Sequence, residues 1–247
     1  MRCATIILFA ILAAQSPNGW DKTQVIPAPE AIQAAASNGD EVYAIAGNRI
    51  AKHDRKSGKR LAVSTGPATH LNSGFFHDGK LYCAHSNYPK TPERSEIKVL
   101  DPATMELTEF KNFGETAHGS LTWAVLHEGH WWCTFARYGD DNSRTALVKY
   151  DPEWQEVGKW TYPESVISEL GRYSISGGFW SKDKLLATGH DDPIVFVLQL
   201  PKTGTVLEHV ETRPVPFTGQ GIAVDGADGL IGINRPRKEI IIARLRQ

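Results

Sequence analysis

Residues 69–89 read THLNSGFFHDGKLYCAHSNYP, with His70 and Asn72 at one end of an apolar stretch and His85 and Asn87 at the end of the next. Imidazole is the side chain whose ordinary pKa lies closest to neutrality, so grouped histidines point to proton transfer or metal ligation. His118 and His190 stand at comparable places further along. If His70, His85, His118 and His190 converged with a carboxylate such as Glu30 or Asp191, they would form a divalent-metal site of the zinc, manganese or iron type. Without a metal, a histidine beside Arg137 or Arg235 would be a general base in a lyase or cyclase acting on a polar or anionic substrate. Glu30, His70 and His118 are therefore the catalytic candidates. Asn72, His85, Asn87, Arg137, Gln220 and Arg235 are the candidates for substrate binding. The chain has no G-x-S-x-G nucleophile motif, no P-loop and no dinucleotide glycine fingerprint, so the only cofactor expected is one divalent metal ion, if any.

The elements that must position these residues follow from a repeat. The segments RIAKHDRKSGK, EIKVLDPATME, ALVKYDPEWQE, IVFVLQLPKTG and EIIIARLRQ are each a β-rich stretch, and the first four run into a polar or Pro-containing turn. They start at Arg49, Glu96, Ala146, Ile194 and Glu239, a period of 45 to 50 residues. Before each lies another apolar stretch (EVYAIAG, KLYCAH, HWWCTFA, KLLATGH, GLIGIN), itself preceded by a turn rich in Gly and Asp. Four antiparallel strands per unit at this period specify a β-propeller. The last unit lacks a fourth strand, and TQVIPAP (Thr23 to Pro29) has no partners of its own. The expected fold is thus all-β: a five-bladed β-propeller over residues 24–247, closed by the N-terminal strand completing the last blade. An open solenoid and a six-bladed ring with one degenerate blade are the alternatives; neither uses the spare strand.

In a propeller the inner strand of a blade begins, and the second strand ends, on one face of the disk. His70, Asn72, His85 and Asn87 should meet there, with Asn72 opposite His85 and His70 opposite Asn87 across the Asp78-Gly79 turn. Polar residues recur at that rim in the other units, among them Gln33, Asn48, Arg172, Thr218 and Asn234. Any one of them needs no explanation beyond solvation; the grouping carries the functional reading, because convergent polar groups at a channel mouth make a binding site. Trp123, on an inner strand, is the tryptophan best placed to face a substrate.

Net charge is −1, and no Lys/Arg run stands out, so nucleic acid is not an expected partner. The segment CATIILFAILAA after Met1 and Arg2 is too short to span a bilayer and has the build of a signal peptide (residues 1–14), followed by a linker (15–23). An uncleaved anchor is the alternative. The mature chain is expected to be a secreted or periplasmic monomer with no membrane association. Cys83 and Cys133 occupy equivalent strand positions in adjacent units, so they should face away from one another as buried free thiols.

NSGFFHDGKLY, GSLTWAVLHEGHWW and SGGFWSKDKLLATG resemble the glycine-then-hairpin units of the plant and bacterial type of glutaminyl cyclotransferase, and FTGQGIAV resembles that family's Phe-Thr-Gln-Gly start. The resemblance spans nearly the whole mature chain and implies a five-bladed propeller after a signal peptide. The family's acidic Gly-Glu-Gly unit has no counterpart, its place reading AHGSLTW, so no residue here inherits the catalytic glutamate. Quinoprotein-like and YVTN-type propellers are similar in the same degree. The expected function is binding, and transformation, of a small polar substrate at a His/Arg/carboxylate mouth. The alternative is a non-catalytic module that presents its rim to a protein or glycan, with Tyr88 and Tyr138 as its exposed aromatics.

Overall fold

A computed structural model describes residues 19–116 and 118–246. Residues 1–18, on which the expected signal peptide falls, lie outside the described residues. Five four-stranded antiparallel sheets form the ring. Their inner strands are Ala34–Ser37, Leu71–His77, Ser120–His127, Gly177–Ser181 and Thr218–Val224, in blades 1 to 5. Blades 1 to 4 take their strands in sequence order; in blade 5 the outermost strand is Trp20–Pro27, paired with Glu239–Leu245. The closing strand therefore begins at Trp20, within the stretch expected as linker. Helix is confined to Glu164–Ile167 and two 3-10 turns, Gly139–Arg144 and Ser168–Leu170. Among the described residues no helix is long and apolar enough to cross a membrane.

Burial on both faces explains why these stretches are continuous apolar runs: residues 42–46, for instance, are all buried because both sheet faces are packed. Hairpin turns such as Asp78-Gly79 carry the positive φ angles (46° and 73°) that a tight two-residue connection requires. Cys83 and Cys133 are buried thiols in separate apolar clusters, and burial pushes both thiols well above the usual cysteine range.

The inner strands crowd the axis, and glycine makes the approach physically feasible. A Cβ on Gly221 would lie 2.6 Å from Ala34 Cβ and 2.7 Å from Ser73 Oγ; one on Gly177 would lie 2.7 Å from the Gln220 carbonyl oxygen. Trp123 is fully buried beneath Gly178, whose Cβ would meet its indole at 2.7 Å, so this ring packs between blades and faces no recess.

The seam between the last blade and the first is held by charge as well as by strand pairing. Asp225, 2 % exposed, receives Arg55 Nη1 at 2.6 Å and Nη2 at 2.7 Å, and Arg244 Nη1 at 2.7 Å. Burial alone would raise this carboxyl's pKa; hydrogen bonds from Arg55 and Arg244 override it and hold the value at about 2. Removing one partner of a buried pair strands the others, at a cost of about 3–5 kcal/mol. Asp225→Ala should accordingly lower Tm by about 10 °C in a thermal melt. The folded pKa lies below the unfolded value near ~4, so the stabilisation is complete above the unfolded value and is lost as pH falls through about 2. Asp225→Asn should flatten that acid limb in melts recorded between the two values.

Candidate functional site at the polar mouth

One mouth of the axis opens into a recess of about 470 Å³. Its floor takes one uncharged polar residue from each blade: Gln33, Asn72, Thr122, Ser176 and Gln220 in chain order. The wall above carries His70, Tyr88, Tyr138, Arg172, Tyr173, His190 and Arg235. No aspartate or glutamate lines it among the described residues.

Bulges in the inner strands decide which side chains reach the floor. In blade 2, Leu71 pairs with His85 and Gly74 with Cys83, so Asn72 and Ser73 together oppose Ala84 alone. The same slip frees Thr122, between Leu121 and Trp123, and a wider break lies between Thr218 and Ala223 in blade 5. The expected pairing of Asn72 with His85 is thus replaced by Leu71 with His85: the bulge shifts the register by one residue, and one residue moves a side chain to the other face.

Five of the catalytic, substrate-binding and metal candidates line this recess, His70, Asn72, His190, Gln220 and Arg235, together with the rim residues Gln33 and Arg172 and the aromatics Tyr88 and Tyr138. The others are held elsewhere. His85 is 8 % exposed within blade 2, where Nδ1 lies 2.8 Å from Glu96 Oε1 and Nε2 accepts the Thr69 backbone N–H at 2.9 Å. Asn87 organises its own loop, accepting from Arg94 N and donating to the Pro92 carbonyl. His118 lies 3.1 Å from Glu156, and Arg137 donates to both oxygens of Glu93. Glu30 is buried against Arg60 at 3.1 Å and Arg49 at 3.4 Å, outside the recess. The four histidines do not gather around one point, and no group of three or more His, Cys, Asp or Glu among the described residues could hold a metal ion. A shared metal would need ligands drawn from three blades to converge, whereas His85 and His118 are each turned toward a carboxylate of their own.

Residues beyond the sequence reading also contribute. Tyr173 stacks on His190 with ring centroids 3.9 Å apart and 6° between planes. Its loop is clasped by the 3-10 turn of blade 3, where Asn142 donates to the Gly171 carbonyl at 2.6 Å and Gly139 N to the Arg172 carbonyl at 2.9 Å. Arg235 Nη1 donates to His190 Nε2 at 3.0 Å. A guanidinium cannot accept, so Nε2 accepts and the ring proton sits on Nδ1, 2.7 Å from Asp191 though without hydrogen-bond alignment. Gln220 holds φ at 79°, an uncommon conformation for a residue with a Cβ, and its amide nitrogen is buried with no partner. Its backbone is pinned between Gly189 and Thr188 of blade 4.

The electrostatics are one-sided. Arginines elsewhere are mostly ion-paired, as Arg55, Arg94 and Arg213 are, but neither Arg172 nor Arg235 meets a carboxylate. Burial, followed by the charges of His85 and Arg235, pushes the His70 imidazole below its ordinary value, so it is neutral and able to take a proton at pH 7. Burial likewise raises Tyr138, which stays protonated.

Comparison with known proteins agrees with the architecture. No family model matches the chain, and no curated protein matches it in sequence. The crystal structure of glutaminyl cyclase from Myxococcus xanthus superposes with a TM-score of 0.62 at 12 % identity, covering 94 % of this chain and 99 % of that one. A chain of the mitotic checkpoint complex aligns with a TM-score of 0.49 at 10 % identity, over 99 % and 100 % of the two chains. Hydrazine synthase from Kuenenia stuttgartiensis gives 0.48 at 9 %, over 85 % and 69 %. The chain is a five-bladed β-propeller similar in fold to the glutaminyl cyclase propeller.

Titration of the histidine ring protons by NMR should find His70 with a pKa below the usual imidazole value of about 6.5. In Arg235→Ala it should move upward, because the arginine's charge is gone while the burial remains.

Proposed function

We propose that the polar mouth binds a small carboxylate-bearing molecule and transforms it by proton abstraction, in a lyase- or cyclase-type reaction with His70 as base. The observation that carries this reading is the pair of arginines, Arg172 and Arg235, brought to one recess without a carboxylate to neutralise them. Arg235 is half-buried and its charge has no counter-ion in the recess, which favours an anionic ligand, and the exposed Arg172 adds a second positive charge at the rim. Neutralising a substrate carboxylate also lowers the barrier to removing the proton beside it, since the developing negative charge is stabilised where it forms. In an elimination the C–H pair becomes the new double bond, the proton passes to His70, and the leaving oxygen takes a proton from a phenol such as Tyr138. Cyclization, the chemistry in the name of the Myxococcus protein, also needs a base; at this mouth that base is an imidazole.

A second reading, capture without chemistry, draws on Tyr88, which is 40 % exposed at the rim and lies 4.8 Å from Tyr138, ring centroid to centroid. The two readings separate in one experiment. Calorimetric titration with hydroxy- and amino-carboxylates should find a ligand whose affinity drops about tenfold to a hundredfold in Arg235→Ala, the worth of a charge-assisted hydrogen bond. Arg94→Ala, outside the recess, should bind normally. His70→Gln should retain binding and lose product formation if the site is catalytic; binding with no turnover in the wild type supports capture alone. Carboxylate binding indifferent to Arg172 and Arg235 would overturn both.

A further inference from the structure

The opposite mouth of the same axis holds a second recess, about 320 Å³, and no residue lines both. Its walls are the far ends of the inner strands, where Phe75, Phe76, Phe179, Trp180 and Val224 replace the amides and hydroxyls of the first mouth. No Asp, Glu, Lys or Arg lines it, and its titratable residue, His127, lies flat against Trp180, with centroids 5.4 Å apart and planes at 11°. The two recesses are parted by the glycine waist, where Gly221 and Gly177 bring neighbouring backbones into contact.

Two polar groups of this apolar recess lack a hydrogen-bond partner among the described residues, the Trp180 indole N–H, which is closed off from the recess, and the Ser73 hydroxyl, which opens into it. Ser73 is 4 % exposed, lines the recess, and its hydroxyl has no hydrogen-bond partner among the described residues. The bulge that sends Asn72 to the polar mouth turns Ser73 the other way, beside Gly221. A hydroxyl that opens into an apolar recess and has no partner in the protein offers an entering ligand one hydrogen bond. The second hydroxyl of the recess, Ser37, is already engaged by Gly39 N and Arg55.

We propose that this second mouth is a binding site for a neutral aromatic molecule carrying one hydrogen-bonding substituent, of the phenol class, with its ring among Phe75, Phe76, Phe179 and Trp180 and its substituent on the Ser73 hydroxyl. Aromatic walls favour a ring through edge-to-face and offset contacts. The absence of a lining cation excludes a carboxylate, whose desolvation would go uncompensated. The site is independent of the anion-binding reading of the polar mouth.

The test uses the whole chain with phenol and toluene as probes, followed by calorimetry and by the indole N–H signals in ¹⁵N-resolved NMR. Phenol should bind three- to tenfold more tightly than toluene, the worth of one neutral hydrogen bond, and should shift the Trp180 signal. Ser73→Ala should reduce phenol to the affinity of toluene. Val224→Trp places its bulk at a residue that is 46 % exposed, so the fold is retained and the recess filled; it should abolish binding of both probes. Carboxylate binding at the other mouth, measured on the same variants, should not change, and its failure in every protein would leave the phenol result standing. No phenol binding in the wild type, unchanged binding in Val224→Trp, or a phenol-to-toluene ratio preserved in a folded Ser73→Ala would each overturn the proposal.

Discussion

Closure of the ring is the constraint on which everything else rests. Five sheets can surround an axis only if the two ends of the chain share a blade, and here Trp20–Pro27 pairs with Glu239–Leu245 to make that blade. Pairing across more than two hundred residues carries a loop-closure cost that grows only slowly with length. The hydrogen-bonded ladder and the Arg55–Asp225–Arg244 cluster beside it offset that cost. With the ring closed, the inner strands have no freedom to spread. The glycines at 177, 219 and 221 let backbones touch where any side chain would force blades apart.

Crowding at the axis also explains why the site sits at the mouths rather than within the channel. The waist has no room for a ligand, so each end of the axis becomes a separate recess. Their opposite characters come from one strand property. The residues near the starts of the inner strands are amides and hydroxyls, and in blades 2 to 5 those near the ends include Phe, Leu, Trp or Val, while blade 1 ends in Ser37. Because the inner strands all run the same way around the axis, these gradients add instead of cancelling.

The fold was legible because it is written in repetition: five hairpin units at a steady period, plus one unpaired strand, admit few other arrangements. The rim was legible at the level of blades, which is why His70, Asn72, His190, Gln220 and Arg235, read there from the sequence, line one recess. What sequence could not convey was register. Asn72–His85 pairing follows from counting back from the Asp78-Gly79 turn, and one bulge defeats the count. Thr122 stands in blade 3 where Asn72 stands in blade 2, freed by the same kind of bulge, and no titratable group marks it in the sequence. Glu30 and Arg137 lie outside the recess for another reason: they pair with Arg60 and Glu93, and a long side chain's choice of partner is not encoded in its strand position.

The distribution of charge then decides which mouth can do chemistry. An arginine that meets a carboxylate has its field cancelled locally, and its main effect is to hold two elements together, as Arg55 does at the seam. Arg172 and Arg235 are positioned by aromatic and imidazole partners instead, which orient a guanidinium without neutralising it. Positioning by uncharged groups leaves the full positive charge available to a ligand. His70 is held neutral first by its burial and then by nearby positive charge, Arg235 included, in a recess that no carboxylate lines among the described residues. In the proposed reaction, a bound carboxylate would relieve that repulsion and raise the basicity of His70. Binding and base strength are thereby coupled through the absence of an internal counter-charge, a property that filling the recess with an aspartate or glutamate would destroy.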